Sequence, residues 1–151
     1  MSEAYERMVK LSGDIQLMND TQALLSWDQE VLMPSKGVAY RAKQMSWLSG
    51  EAHRRFTDPV VGELISEIEN ADLDESERAN AREWRHQYDR ATALPVELVE
   101  KFASAQSVGK SLWADARKKS DFSLFSDSYD ALLDRFERGH ALRIWRRFLE
   151  T

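Results

Sequence analysis

The sequence predicts an all-α fold, a bundle-like domain of about six helices with a long first helix. Three observations carry that expectation. Apolar residues recur at three- and four-residue steps along most of the chain, only 6 Gly and 3 Pro interrupt 151 residues, and no five-residue stretch alternates apolar and polar positions as a half-buried strand does. A chain of this length buries roughly 68–70% of its unfolded surface, so one domain without disulfide or metal is expected. No repeat period and no low-complexity segment breaks the pattern.

The elements follow in order. Ser2 supplies an N-cap, and Met8, Leu11, Ile15, Met18 and Leu25 then mark one face of a helix, with Gln22 at the missing step. Nothing stops it before Pro34, whose ring disfavours helix at Met33; about 30 residues at 1.5 Å each give roughly 45 Å. Pro34-Ser35-Lys36-Gly37 is the break. A second helix carries Ala39, Ala42, Met45, Leu48 and Ala52. Thr57-Asp58-Pro59 ends it and starts the third, with Asp58 as cap and Pro59 at the first helical position. Val60, Val61, Leu64, Ile65 and Ile68 line that third helix, which gives way to a polar turn from Asn70 to Asp74.

Asp74 and Glu77 form a capping box for a fourth helix, which sets Ala81, Trp84, Tyr88 and Ala91 on one side. Leu94-Pro95 resets the chain, and a long fifth helix runs from Val96 through Phe102, Val108, Leu112 and Ala116; Gly109 inside it costs about 1 kcal/mol. After Ser120-Asp121, residues Phe122, Phe125, Tyr129, Leu132, Leu133 and Phe136 keep helical spacing until Gly139, where the sixth helix is expected to close. A last amphipathic stretch sets Ala141, Ile144, Trp145, Phe148 and Leu149 against Arg143, Arg146 and Arg147.

Charge divides the chain into two parts. The total is −5, yet residues 135–151 hold five Arg against Glu137 and Glu150, so the tail is net positive and residues 1–134 are strongly acidic. Residues 1–134 therefore read as a helical domain and 135–151 as a basic amphipathic tail. An acidic body argues against general nucleic-acid binding, which wants a basic stripe. No run of about 18 apolar residues is present, and the N-terminal MSEAYERMVKLSGD has no signal-peptide core, so neither membrane insertion nor export is expected. The absence of Cys excludes thiol chemistry and fits the reducing cytoplasm.

The three histidines, His53, His86 and His140, form no local metal pair, and no His-Glu-x-x-His motif exists. Glu83/His86 and Glu137/His140 have the Glu-x-x-His spacing of a di-iron bundle. On the helical wheel, however, Glu83 and His86 fall roughly 100° and 160° from Trp84, on the solvent side of their helix. Gly139 weakens the second pair.

Asp28 has Leu24, Leu25, Val31 and Leu32 at its three- and four-residue neighbours. A carboxylate so placed is expected to be desolvated and to need a cation, with Arg41, Lys43 or a later Arg as partner, or else to face a cleft. Trp27, Asp28, Gln29 and Arg41 are thus the candidate polar or cleft-facing group. Trp27, Trp47, Trp84 and Trp113 read as core and helix-contact residues.

The string Ala23-Leu-Leu-Ser-Trp-Asp-Gln-Glu30, then Met33-Pro34, Arg41-Ala-Lys-Gln44, Ala52-His53-Arg54 and Thr57-Asp58-Pro59 resembles the N-terminal helices of the carboxypeptidase Taq family of metallocarboxypeptidases. The resemblance continues through Tyr88-Asp-Arg-Ala-Thr92, Leu94-Pro-Val-Glu-Leu98, Trp113-Ala-Asp-Ala-Arg117 and Lys119-Ser-Asp-Phe122. It implies a mostly helical, commonly dimeric protein that releases C-terminal amino acids from peptides. In that family one divalent metal, usually zinc, sits on a His-Glu-x-x-His motif and a later Glu, all downstream of these helices. None of those residues has a counterpart here, so the resemblance implies a truncated or remnant member that holds no cofactor and is not catalytic alone. Its expected partners are further copies of itself or a missing C-terminal catalytic portion; a helical protein–protein interaction module acting as a homo-oligomer is the alternative. Ser128-Tyr-Asp-Ala-Leu-Leu-Asp134 resembles a family segment that normally lies further on, which points to an internal deletion after Phe125.

Overall fold

The computed structural model describes the backbone of residues 2–149 and the side chains of residues 2–139. Six α-helices and no strand lie among the described residues: α1 Glu3–Val31, α2 Val38–Phe56, α3 Pro59–Glu69, α4 Glu75–Thr92, α5 Val96–Lys119 and α6 Ser123–Leu149, with a short 3₁₀ turn at Ser35–Gly37. The local signals hold. The Ser2 hydroxyl accepts from Tyr5 N, Asp58 accepts from Val60 N with Pro59 opening α3, and Asp74 and Glu77 exchange both bonds of the capping box.

The expected face of α1 is covered along its whole length, with Met8 fully buried and Leu11, Ile15, Met18, Gln22 and Leu25 half-buried. The densest packing is at one end. Ala4, Tyr5 and Met8 of α1 meet Val61, Leu64, Ile65 and Ile68 of α3, together with Leu73 and Ala81 of α4. Tyr5 stacks 5.2 Å from Trp84 and accepts a hydrogen bond from Asn80 Nδ2 at 2.7 Å, so its buried hydroxyl is satisfied. Each large apolar side chain buried there contributes about 1.5–3 kcal/mol.

At the other end α5 lies between α2 and α6, and apart from Arg41 on α2 the buried residues are small: Ala42, Gly50 and Ala52 on α2, Ala103, Ser107, Gly109 and Ala116 on α5. Small residues let helix backbones approach closely. A Cβ on Gly50 would stand 2.6 Å from Glu100 Cγ and 2.8 Å from Cδ, so Glu100 lies across α2 only because position 50 has no side chain. Its carboxylate takes a 2.7 Å hydrogen bond from Arg54 Nη1.

Gly139 does not close the sixth helix. No glycine among the described residues has positive φ, and α6 runs through to Leu149. Gly139 is buried, and a Cβ there would lie 3.7 Å and 3.8 Å from Leu98 and Leu94, so it is a contact point with the start of α5. The helix stop lies earlier, at Ser120, whose φ of 53° and ψ of 36° make it the left-handed cap of α5; Asp121 N then bonds back to Ala116 O at 3.0 Å. Asp121 restarts the chain by accepting from Ser123 Oγ and N, bonds that hold its carboxyl below the ordinary value.

Two glycine substitutions separate helix propensity from packing. Nothing lies within 4 Å of a Cβ at Gly13, so Gly13→Ala is expected to stabilise by about 0.5–1 kcal/mol. Gly50→Ala must displace Glu100 and is expected to destabilise by about 1–3 kcal/mol. Urea midpoints that move in opposite directions confirm the α2–α5 geometry; two increases would refute it.

Candidate functional site

The C-terminal third of α1 is held from two sides by polar side chains. Toward α2, Arg41 in the first turn of that helix makes three interactions. Its Nη2 meets Asp28 Oδ2 at 2.5 Å, Nη1 donates to the Leu25 carbonyl, and Nε donates to Gln44 Oε1 at 3.0 Å. Toward α5, Gln29 Nε2 donates to the Ser107 carbonyl at 2.6 Å and to Ser111 Oγ at 3.1 Å, while its Oε1 accepts from Ser107 Oγ at 2.8 Å. Lys110 adds contacts to Ser26 Oγ and Glu30 Oε1 at 2.5 and 2.6 Å.

Arg41 is thus the partner that Asp28 required, but the expected desolvation is only partial. The Arg41 side chain is 11% exposed and that of Asp28 34%. Leu24, Val31 and Leu32, which were to wall Asp28 off, are themselves exposed, because among the described residues no helix covers that side of α1. Two of the tryptophans need the same correction. Trp27 and Trp47 are exposed, whereas Trp84 of α4 packs on Tyr5 of α1 and Trp113 of α5, though partly exposed, meets Phe125 of α6 at 5.4 Å.

Asp28, Gln29 and Arg41 are therefore spent on holding α1 to its neighbours, while Trp27 points to solvent; the four do not converge on one cavity. Ser107 and Ser111, which complete the clamp, carry no sequence signal. Trp27 instead belongs to a stripe with Leu17, Leu24 and Val31, exposed by 54%, 67%, 64% and 58%.

Nor does a metal centre assemble. No three of His, Asp and Glu among the described residues lie close enough to hold an ion. His53 Nε2 is 2.9 Å from the Leu94 carbonyl, and Glu83 and His86 are both exposed, as the wheel required. The side chain of His140 and the apolar face of the tail lie outside the described residues. Among those residues, no helix is long and apolar enough to cross a membrane.

The family model for the carboxypeptidase Taq (M32) metallopeptidases matches residues 7–143. The chain belongs to this family. It is 32% identical to thermostable carboxypeptidase 1 of Thermus thermophilus, with 93% of this chain and 34% of that protein aligned. With thermostable carboxypeptidase 1 of Pyrococcus furiosus the identity is 27%, over 99% of this chain and 34% of that protein. The BsuCP crystal structure superposes with a TM-score of 0.90 at 24% identity, over 93% of this chain and 29% of that one. This M32 chain therefore spans about a third of the length of the relatives it matches. The two alignments run over 174 and 172 residues, more than the 151 present here, so both relatives hold residues inside the matched span that this chain lacks.

The clamp gives a direct test. Asp28→Asn leaves the Arg41 guanidinium without its counter-charge and is expected to lower stability by about 1–2 kcal/mol, discounted for the exposure of Asp28. Trp27→Gln is expected to leave it within about 0.5 kcal/mol. Equal urea midpoints for Asp28→Asn and the parent would remove the clamp from the account.

Proposed function

We propose that this chain is a non-catalytic helical member of the M32 family that acts by association, first of all with further copies of itself. The observation that carries the first half is the donor set. A zinc peptidase needs about three protein ligands, an open coordination position and a base for the bound water. The sequence has no His-Glu-x-x-His, His53 is engaged by a backbone carbonyl, and Glu83 and His86 face solvent. The residues present do not fit a family metal, so release of C-terminal amino acids, the activity for which its relatives are named, belongs to sequence that this chain does not contain. The absence of Cys supports a cytoplasmic setting.

The second half rests on the outer face of α1. Leu17, Leu24, Trp27 and Val31 repeat at seven, three and four residues and make a continuous exposed seam about 20 Å long, at 1.5 Å per residue. Monomers rarely leave an apolar patch larger than a few hundred Å² open to water. Self-association through this seam removes it from solvent.

Two measurements test the proposal. The pure chain dialysed against zinc-free buffer is expected to retain no stoichiometric zinc and to release no C-terminal amino acid from peptides; stoichiometric zinc, or release of free amino acids, refutes the first half. Light scattering coupled to gel filtration is expected to give a mass above 17.5 kDa at micromolar concentration, and Leu24→Gln with Trp27→Gln is expected to bring it down to the monomer. A strictly monomeric parent would assign the seam to a different polypeptide, such as a separate catalytic portion.

A further inference from the structure

A cleft of about 470 Å³ opens between α1, α2 and α4, on a different face of α1 from the seam. Its volume falls within the range of about 300–1,000 Å³ usual for small-molecule sites. From α1 it takes Ser12, Gln16, Asn19 and Gln22, and from α4 Trp84 and Gln87. None of its lining residues is Lys, Arg, Asp or Glu, although those four types make up 31% of the chain. The titratable group that does line it, His53, has Nε2 2.9 Å from the Leu94 carbonyl. A formal charge placed in the cleft would find no counter-charge among the side chains that line it.

The hydrogen-bonding groups of the cleft are set by their neighbours. Gln16 Nε2 donates to Asp20 Oδ1 at 2.8 Å, and Gln87 Nε2 donates to Glu83 Oε1 at 2.7 Å. An ionised carboxylate only accepts, so each of these amides is fixed in orientation and keeps its Oε1 as an open acceptor. Gln22 does the reverse: its Oε1 takes the Ser49 hydroxyl at 2.7 Å, and its Nε2 stays open as a donor. The side chains of Ser12 and Asn19 make no hydrogen bond among the described residues, and neither does Trp84 Nε1, whose ring is set against Tyr5 at 5.2 Å. Open donors and open acceptors therefore share one uncharged cleft with an indole.

We propose that this cleft binds a neutral sugar ring. Every hydroxyl of a pyranose both donates and accepts, which is the pairing that the Gln16 and Gln87 carbonyls, the Gln22 and Asn19 amides and the Ser12 hydroxyl offer together. One side of such a ring is made of C–H groups and lies against an aromatic face, and Trp84 supplies that face along with a free N–H. A carboxylate would meet the two open carbonyls with no cation among the lining residues, and an ammonium would meet no anion among them. The site is independent of the self-association proposed above and does not use the α1 seam.

Proton–nitrogen NMR of the full chain supplies the test, with the Trp84 indole N–H signal assigned by its loss in Trp84→Phe. The probes are the methyl pyranosides of glucose, galactose and mannose, each added up to about 20 mM, enough to saturate a site with Kd on the order of 1 mM. At least one of them is expected to shift the Trp84 signal and the side-chain amide signals of Asn19 and Gln22. Asn19 is exposed and makes no side-chain bond, so Asn19→Ala is expected to keep the parent urea midpoint and to weaken that glycoside about tenfold. Glucosamine and glucuronate are expected to bind more weakly than the neutral ring. The proposal is overturned if no glycoside moves the Trp84 signal, if Asn19→Ala binds like the parent, or if either charged sugar binds more tightly. A blocked alanine tripeptide that moves the signal where the glycosides do not would give the cleft to peptide amides and overturn the sugar assignment.

Discussion

A single helix of 29 residues must be secured at both ends, and the two ends of α1 are secured by different forces. At its start, Tyr5 and Met8 are locked by dispersion and burial against Ile65, Ile68 and Trp84. At its finish the work is done by directed bonds: Asp28 to Arg41 on α2, Gln29 to Ser107 on α5. Those bonds fix rotation as well as position. A turn of α1 about its axis by one residue would remove Asp28 from the guanidinium and Gln29 from the Ser107 backbone together, so the face of α1 that remains outside is a consequence of the clamp.

The features legible in the sequence are those whose chemistry is local. A cap needs only residues within one turn of each other, which is why Ser2, Asp58 with Pro59, and Asp74 with Glu77 read correctly. Spacing likewise tells which residues share a face, and Met8 through Leu25 lie together as expected. Spacing does not tell whether a neighbour exists to cover a face. Leu24, Val31 and Leu32 looked like walls around Asp28 and are exposed because no described helix lies over them. Gly139 misled for a related reason: a glycine can end a helix or admit a neighbouring one, and the choice was made by Leu94 and Leu98, more than forty positions away in the chain. Arg41 was one of several cations open to Asp28, whereas Ser107 has nothing in its surroundings to set it apart from any other serine.

Membership of the M32 family and the lack of a metal-holding cluster among the described residues are compatible physically, since a helical scaffold and a set of ligands are separate requirements on a sequence. Two of the crossings that shape these helices, Gly50 against Glu100 and Gly109 against Leu132, lie within residues 7–143 and involve no metal ligand. A segment a third as long as its relatives can therefore hold a backbone with a TM-score of 0.90 to one of them.

The uneven core has a consequence for how the molecule opens. Large side chains at the α1–α3–α4 end bury far more apolar area than the alanines and glycines between α2 and α5, so the two ends differ in the free energy of local opening. Helical hydrogen bonds propagate along a continuous helix, and α1 runs from the strong end to the weak one. Its amides form a graded series for hydrogen exchange. Those near Met8 exchange only when the whole domain unfolds, and those beyond Leu25 exchange whenever the Arg41 and Gln29 bonds break together, so α1 reports on both halves of the molecule at once.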